Sequence, residues 1–549
     1  MAQIDAGRII AKCLKAEDVQ FLHSVPGGHN NPIIRGCMAE GIQVIGHRDE
    51  RGATHAADGY ARTTGKPGVI CVTAGCGVTN AATALATANI DNVPIILLAG
   101  RHQTVDDLRM ALQELEGEKV CQPITKFAKC VYDWGQIPYF MGMAFRQATA
   151  PTPGPAFLEF PADILLRQGE ENEVKYIPPE RYRTTRRPQA DPADIEQAVE
   201  LLLEAERPVI AAGDGILWSC ASEELREFAE LTQIPTYTTK LGEGAFPEQH
   251  PLSLHRVVRS KLTRHTDVAL AVGVRFWRGE GYGSEPVIWN PGYRLIQVDG
   301  SQTRIGHNTS AEIGIAGDPK AVLRQMIECA RERVGRPRKH GPWLEKLETE
   351  THIFRVARER EVKEHWDSKP VHPARLSYEI ANFLDEDASI VYDGNRSIYF
   401  FEKWVESRFA GQVLPLSQFG GMGTGVGWAI GAQLARPGKQ VLLMEGDGAF
   451  GIGGMEIETA SRYDLPIVVV LHNNSGWFPG ARRMLEGDGG MEVDMRAFEF
   501  QMGLRYDKMA EGLGCHGEHV EDPGEIRPAL ERAFASGKTA LINVVMEKL

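Results

Sequence analysis

The sequence predicts an α/β protein made of three doubly wound parallel-sheet domains. Two observations carry that reading. Short runs rich in Val, Ile and Leu recur along the chain, most of them ending in Gly, Asp or Asn, with Ala-rich helical stretches between them. Strands buried on both faces read as continuous apolar runs, because helices cover the sheet above and below. Two polar passages then cut this alternation into three blocks, and 549 residues at about 150 per domain allow three or four domains.

The first block covers residues 1–170 and contains "IQVIG", "PGVICVT" and "VPIILLAG". The Pro- and Arg-rich passage "QGEENEVKYIPPERYRTTRRPQADPA" follows as a linker. The second block, 190–335, repeats the pattern with "RPVIAAGDGI", "DVALAVGVRF", "YRLIQVDG" and "IGIAGD". A charged helical connector, "GRPRKHGPWLEKLETETHIFRVARER", leads to the third block, 365–549, with "ASIVYDGN", "KQVLLMEGDG", "LPIVVVLHNN" and "TALINVVM".

Composition narrows the function. A net charge of −13 without a long basic block argues against a nucleic-acid partner or an anionic membrane surface. The nine cysteines are scattered, odd in number and form no CxxC pair, so neither a disulfide framework nor a zinc cluster is expected. The N-terminus "MAQIDAGRIIAKCLKAEDVQ" reads as an amphipathic helix rather than a signal peptide, and no apolar run reaches membrane-spanning length. A cytoplasmic protein is expected.

In open parallel sheets, ligands bind beyond the carboxyl ends of the strands. The segment 441–477, "VLLMEGDGAFGIGGMEIETASRYDLPIVVVLHNNSGW", places two such ends one crossover apart. A strand ends at Gly446, and Asp447 sits in a Gly-flanked turn that lets a phosphate approach the backbone. A helix over 454–463 returns the chain, and a strand over 467–471 leads to Asn473 and Asn474. A carboxylate, an amide oxygen, a backbone carbonyl and phosphate oxygens make a hard shell suited to magnesium. GDG and NN are also common turn dipeptides, and it is their pairing at crossover spacing that favours a site.

With these motifs the chain resembles the thiamine diphosphate-dependent enzymes of the acetolactate synthase and pyruvate decarboxylase superfamily, whose signature is GDG, a spacer of this size, then NN. The resemblance covers nearly the whole chain, in the order pyrimidine-binding, central and diphosphate-binding domains. It implies that Asp447 and Asn474 hold Mg2+ through side chains and Gly476 through its carbonyl. Gly446, Gly448, Ala449 and the loop Asp393, Gly394 and Asn395 would follow the diphosphate. "GGMGTGVG", from Gly420, matches the segment supporting the bent cofactor, and Met422 would wedge between its rings, unless it is an ordinary core methionine.

The same resemblance bears on "RDERGATHAADGYAR". Glu50 matches the family glutamate that hydrogen-bonds the aminopyrimidine ring and favours the imino form that removes the thiazolium C2 proton. Read alone, Glu50 is better explained as an acidic residue at a helix start. Asp49 is a structural neighbour. In the family this glutamate serves a cofactor held by a neighbouring subunit, which implies a homodimer or homotetramer. Thr73 and Asn80, in "VTAGCGVTN", would line the cofactor, or form a structural turn.

Substrate choice rests on the remaining polar groups. His29 in "VPGGHNNPI" and Gln113 in "MALQELEG" match benzaldehyde lyase, where a histidine and a glutamine handle protons on a 2-hydroxy ketone. The implied activity is cleavage or formation of 2-hydroxy ketones through an enamine, an acyl-anion equivalent. A second branch, 2-hydroxyacyl-CoA lyase and oxalyl-CoA decarboxylase, resembles this chain at "FGIGGMEIETASRYDLPIVVVLHNN" and "YRLIQVDGSQTRIGHNTSAEIGIAGD". That branch lacks the histidine and carries an EGAN-type loop where "DGNR" stands here. An acetolactate synthase-like 2-keto acid carboligase is the third reading, from "PITKFA" and "HAADGYAR". The substrates expected are aldehydes, 2-hydroxy ketones, 2-keto acids or acyl-CoA.

In the central domain, Arg275, Phe276 and Arg278 in "GVRFWRGEGYG" would meet an adenine nucleotide or CoA, or nothing. Trp477 and Phe478 wall the substrate pocket or pack under their loop, and Arg482 and Arg483 meet an anionic substrate or solvent. Most relatives continue past "ALINVVMEKL" into a tail that closes over the substrate, and here that closure is missing, truncated or supplied otherwise. Two other classes compete. A scaffold that has lost catalysis is opposed by the intact Glu50, Asp447 and Asn474. A dinucleotide-dependent oxidoreductase leaves the paired GDG and NN ends unexplained.

Overall fold

The computed structural model describes residues 3–333, 341–394, 396–477 and 494–548. It divides into two compact units. One comprises Met1–Thr184, Trp366–Phe400 and Leu416–Leu549, and the other Thr185–His365 and Phe401–Pro415.

The first unit carries two parallel sheets. In one, β1 (Phe21–Ser24), β2 (Gln43–Gly46), β3 (Gly68–Val72), β4 (Ile95–Arg101), β5 (Phe127–Cys130) and β6 (Ala156–Pro161) lie in the order β2-β1-β3-β4-β6-β5. The second unit has its own sheet of β7 (Val209–Ala212), β8 (Thr236–Thr238), β9 (Val268–Val272), β10 (Arg294–Asp299) and β11 (Ile313–Ala316), ordered β8-β7-β9-β10-β11. In the remaining sheet of the first unit, β12 (Ser389–Asp393), β13 (Val441–Gly446), β14 (Ile467–Asn473), β15 (His516–Val520) and β16 (Ala540–Val545) pair in the order β12-β13-β14-β16-β15. The non-sequential orders require crossovers, which the helices supply. Residues of β3, β4, β9 and β13 are almost all buried, as their unbroken apolar runs demand.

Within the first unit the two sheets are joined by a crossing of two small-residue helices, α1 (Glu50–Thr64) and α3 (Gly425–Ala435); between them in sequence lies α2 (Cys76–Ile90). The two joined helices touch backbone to backbone. A Cβ on Gly59 would lie 2.5 Å from the Trp428 carbonyl oxygen, and one on Gly431 would lie 2.2 Å from that of Ala56. Only glycine allows this approach. Beside the crossing, Arg62 lies over the Trp428 ring at 4.7 Å and is paired with Asp58 and Asp91. Such a buried ion pair costs about 3–5 kcal/mol when one partner is removed.

One element differs from expectation. A short helix that was not expected, α4 (Asp447–Gly453), precedes the helix expected over 454–463, which is α5 (Glu456–Arg462). The first begins at Asp447 itself, so the glycines that read as a loop are inside a helix whose first N–H groups face the strand end. β14 also runs to Asn473 rather than ending at 471.

Candidate functional site

At the carboxyl ends of β13 and β14, Asp447 is 2% exposed. Its Oδ1 accepts the Gly448 N–H at 2.9 Å and its Oδ2 the Gly476 N–H at 3.3 Å. Burial pushes this carboxyl up to about 6 against the pull of those N–H groups. One end of the Asn474 amide lies 3.2 Å from Asp447 Oδ1 and 3.0 Å from the Gly476 carbonyl oxygen. With its oxygen turned inward, three hard oxygens converge on one point. That donor set fits Mg2+, whereas the reversed amide donates to the other two. Asn473, the other half of the dipeptide, is structural, since its amide donates to Asn543 Oδ1 at 3.0 Å.

Around this point the backbone is kept bare. A Cβ on Gly448 would meet the Trp477 ring at 2.7 Å. Gly394, with φ +91°, brings the end of β12 close to Gly446. Ala449 is buried in the first turn of α4. The Asp393 carboxylate accepts the N–H groups of Gly394 and Gly425 at 2.7 and 2.8 Å, so it holds the loop and the start of α3. Beside it in register, Glu445 is wholly buried, and burial followed by the charge of Asp393 pushes its carboxyl well above the usual range. Met422 is 38% exposed, which removes the ordinary core reading, and it follows Gly420 in the left-handed region at φ +76°. Trp477 is half exposed and stands edge-on to Phe500, with ring centroids 5.2 Å apart. Asn395 and Phe478 lie outside the described residues, as do Arg482 and Arg483.

The second cluster forms at the carboxyl ends of β1, β3 and β4. Glu50, 7% exposed, opens α1, with Asp49 as its N-cap accepting the Arg51 N–H at 2.8 Å. Asn80, on α2, donates to Glu50 Oε2 at 3.1 Å. His29 Nδ1 lies 3.0 Å from Gln113 Oε1, and the Thr73 hydroxyl donates to the same oxygen at 3.1 Å. An oxygen that accepts from both leaves His29 Nε2 with the lone pair, the form of a base. Gly75 has φ +56°, and a Cβ there would lie 2.6 Å from the Gln113 carbonyl oxygen. This glycine is what lets the 113 turn close on the start of α2.

One contact was not expected from the sequence. Gln113 Nε2 donates to Cys76 Sγ at 3.4 Å, and Cys76 is exposed at the first position of α2. Its only sequence signal is a place beside Thr73 in "TAGCGVTN".

In the second unit, Asp214, Arg275 and Asp299 stand at the carboxyl ends of β7, β9 and β10. Arg275 pairs with Asp214 at 3.3 Å, and burial pushes the Asp299 carboxyl up to about 6. Phe276 does not face a ligand there. It is 1% exposed, edge-on to Trp289 at 5.7 Å in the core, because its left-handed backbone turns the ring inward.

Comparison with known proteins shows the family of the chain. Residues 4–120 match the thiamine pyrophosphate enzyme N-terminal TPP binding domain, 195–326 the central domain, and 400–544 the C-terminal TPP binding domain. An acetolactate synthase large subunit of Mycobacterium tuberculosis is 34% identical over 99% of this chain and 96% of its own length. A probable acetolactate synthase large subunit of Methanocaldococcus jannaschii is 32% identical over 98% of this chain and 91% of its own. A 2-hydroxyacyl-CoA lyase of Arabidopsis thaliana is 29% identical over 99% of this chain and 96% of its own.

Proposed function

The chain belongs to the thiamine pyrophosphate-dependent enzymes, and from that premise we propose that it is a Mg2+-dependent carbon–carbon lyase and carboligase that cleaves or forms 2-hydroxy ketones. Thiamine diphosphate, when bound, supplies a nucleophilic carbon that attacks a carbonyl and accepts the charge left when the neighbouring bond breaks. The protein's own residues do the rest. Asp447, Asn474 and the Gly476 carbonyl would hold Mg2+, beside the bare backbone that would receive the diphosphate. Glu50, braced by Asn80, shares a proton with the pyrimidine ring.

The observation that carries the substrate reading is the His29–Gln113–Thr73 cluster. His29 Nε2 takes the proton of the substrate hydroxyl as its carbon–carbon bond breaks, and returns it in the reverse direction. Two readings compete. The 34% and 32% identities to acetolactate synthases over nearly the whole chain favour a 2-keto acid donor. The likeness to 2-hydroxyacyl-CoA lyase favours an acyl-CoA, which would use the Asp214, Arg275 and Asp299 cluster for an adenine nucleotide or CoA.

A panel of a 2-hydroxy ketone, a 2-hydroxyacyl-CoA, oxalyl-CoA and pyruvate, run with thiamine diphosphate and Mg2+, separates these readings. Aldehyde release from the hydroxy ketone, lost in His29→Ala, supports the proposal. Turnover of pyruvate alone, or of the CoA thioesters alone, replaces it with the corresponding reading. Exposed Leu108, Met110 and Leu112 beside Gln113 support burial of that loop by a second copy in a homodimer or homotetramer, which the mass in solution tests. Among the described residues no helix is long and apolar enough to cross a membrane, and the nine unpaired thiols support a reducing, cytoplasmic setting.

A further inference from the structure

The segment joining β2 to α1, residues 47–49, crosses onto α5. Glu456 Oε1 accepts the backbone N–H groups of Arg48 and Asp49, both at 3.0 Å. Its Oε2 lies 2.9 Å from His47 Nδ1, and His47 Nε2 lies 2.9 Å from His23 Nδ1. His23, His47 and Glu456 are 1%, 6% and 3% exposed. Burial alone would raise the Glu456 carboxyl, but hydrogen bonds from His47 and the Arg48 N–H outweigh it and hold the group below the usual range.

The proton order follows. A carboxylate accepts, so His47 carries its proton on Nδ1 and offers Nε2 to His23. His23 is then protonated on Nδ1, and its Nε2 is a buried lone pair with no hydrogen-bond partner among the described residues. A carboxylate at this place also faces the N-terminus of α1, where negative charge is favoured.

From this geometry we propose that Glu456 is a positioning residue for Glu50, fixing the turn that presents it to the cofactor ring. The inference rests on the reading of Glu50 given above. Three contacts support it. The N–H of Asp49, the residue directly before Glu50, is tied to a carboxylate on another element, and charge-assisted bonds are the stronger kind. Arg51, directly after Glu50, donates to the Ile452 carbonyl at 2.8 Å. Gly52 leaves room for the brace, since a Cβ there would lie 2.5 Å from Glu456 Oε1. Glu50 is thus held on both sides by residues 452–456, and a shift of this turn by about 1 Å is enough to cost on the order of 100-fold in rate.

The test uses the full-length protein with thiamine diphosphate and Mg2+. It measures exchange of the bound cofactor's C2 proton with deuterium, and cofactor affinity by calorimetry. Glu456→Ala is expected to slow exchange roughly 30- to 100-fold while affinity stays within about threefold. Glu456→Gln keeps an oxygen for both N–H groups. Because His23 Nε2 has no partner to lose among the described residues, both histidines can reverse their tautomers, so exchange should return to within about fivefold of the unmodified protein. Gly52→Ala, which pushes the carboxylate aside without removing it, should behave like Glu456→Ala, and it decides the matter if the latter fails to fold. Exchange at the unmodified rate in folded Glu456→Ala or Gly52→Ala overturns the proposal. Unmodified exchange in Glu50→Gln would instead overturn the role of Glu50 itself, leaving the two failures distinguishable.

Discussion

The two candidate clusters are built in contrasting ways. At the Asp447 end, the three candidate metal ligands lie between positions 447 and 476, on adjacent strand ends, and bare backbone surrounds them. At the His29 end, side chains from positions 29, 50, 73, 76, 80 and 113 meet across three strand ends and two helix starts. The first half uses backbone and hard oxygens, which suit an ion and a phosphate whatever the substrate. The second uses side chains whose protons have to be ordered, and this is where a scaffold shared by many enzymes can take a different substrate.

Substitutions can sharpen this contrast. The largest effect is expected at Glu50, where the cofactor's own chemistry depends on one proton. Glu50→Gln should lower kcat on the order of 1,000-fold, within the range for a lost acid–base group, with cofactor affinity nearly unchanged. Calorimetry and steady-state kinetics on the same sample check both halves of that statement.

His29→Ala comes next, at about 100-fold in kcat/KM for a 2-hydroxy ketone. It should leave cofactor affinity alone, and an effect on affinity as large as that on rate would merge the two halves into one.

Asp447→Asn should do the reverse, weakening Mg2+-dependent cofactor retention roughly 10- to 100-fold. The unmodified site also has a pH signature. The Asp447 carboxyl, raised by burial to about 6, is protonated below that value, and Mg2+ has to displace the proton. Cofactor retention should therefore fall as pH drops through about 6. Without metal the sign of the stability change is opposite. A folded-state value above the unfolded 3.8 means that the cation-free protein loses about 2–3 kcal/mol as pH rises from about 4 to 6, and Mg2+ restores it. Thermal unfolding with and without Mg2+ across that range shows both trends.

Smaller still is Thr73→Val, which removes one of the two donors to Gln113 Oε1. It should cost a net hydrogen bond of about 1 kcal/mol, or roughly fivefold in kcat/KM. Gly431→Ala tests the joint between the two sheets rather than either half. Its Cβ would meet the Ala56 carbonyl oxygen, so a stability loss of about 1–3 kcal/mol is expected in chemical unfolding.

The fold was legible because its signals are local. Apolar runs ending in Gly, Asp or Asn mark parallel strands, and GDG and NN mark two strand ends, whatever the helices between them do. The short helix α4, ahead of the expected 454–463 helix, was not legible, because glycine-rich sequence reads as loop. Phe276 stayed open for a related reason. An aromatic beside arginines reads equally as a ligand contact or as none, and only the packing places it in the core.

The sequence by itself determined the class of fold, through its apolar runs, and the candidate metal-binding end, through GDG and NN spaced by one strand–helix–strand unit, whereas the candidate glutamate came from resemblance to a family. The tertiary structure decided that Gln113 reaches His29 and Thr73, that Cys76 holds the other end of that amide, and that Glu456 braces the turn before Glu50, 406 positions away. Hydrogen bonds between residues so far apart depend on how helices and strands pack, at a precision of a few tenths of an ångström that no local pattern of residue types encodes.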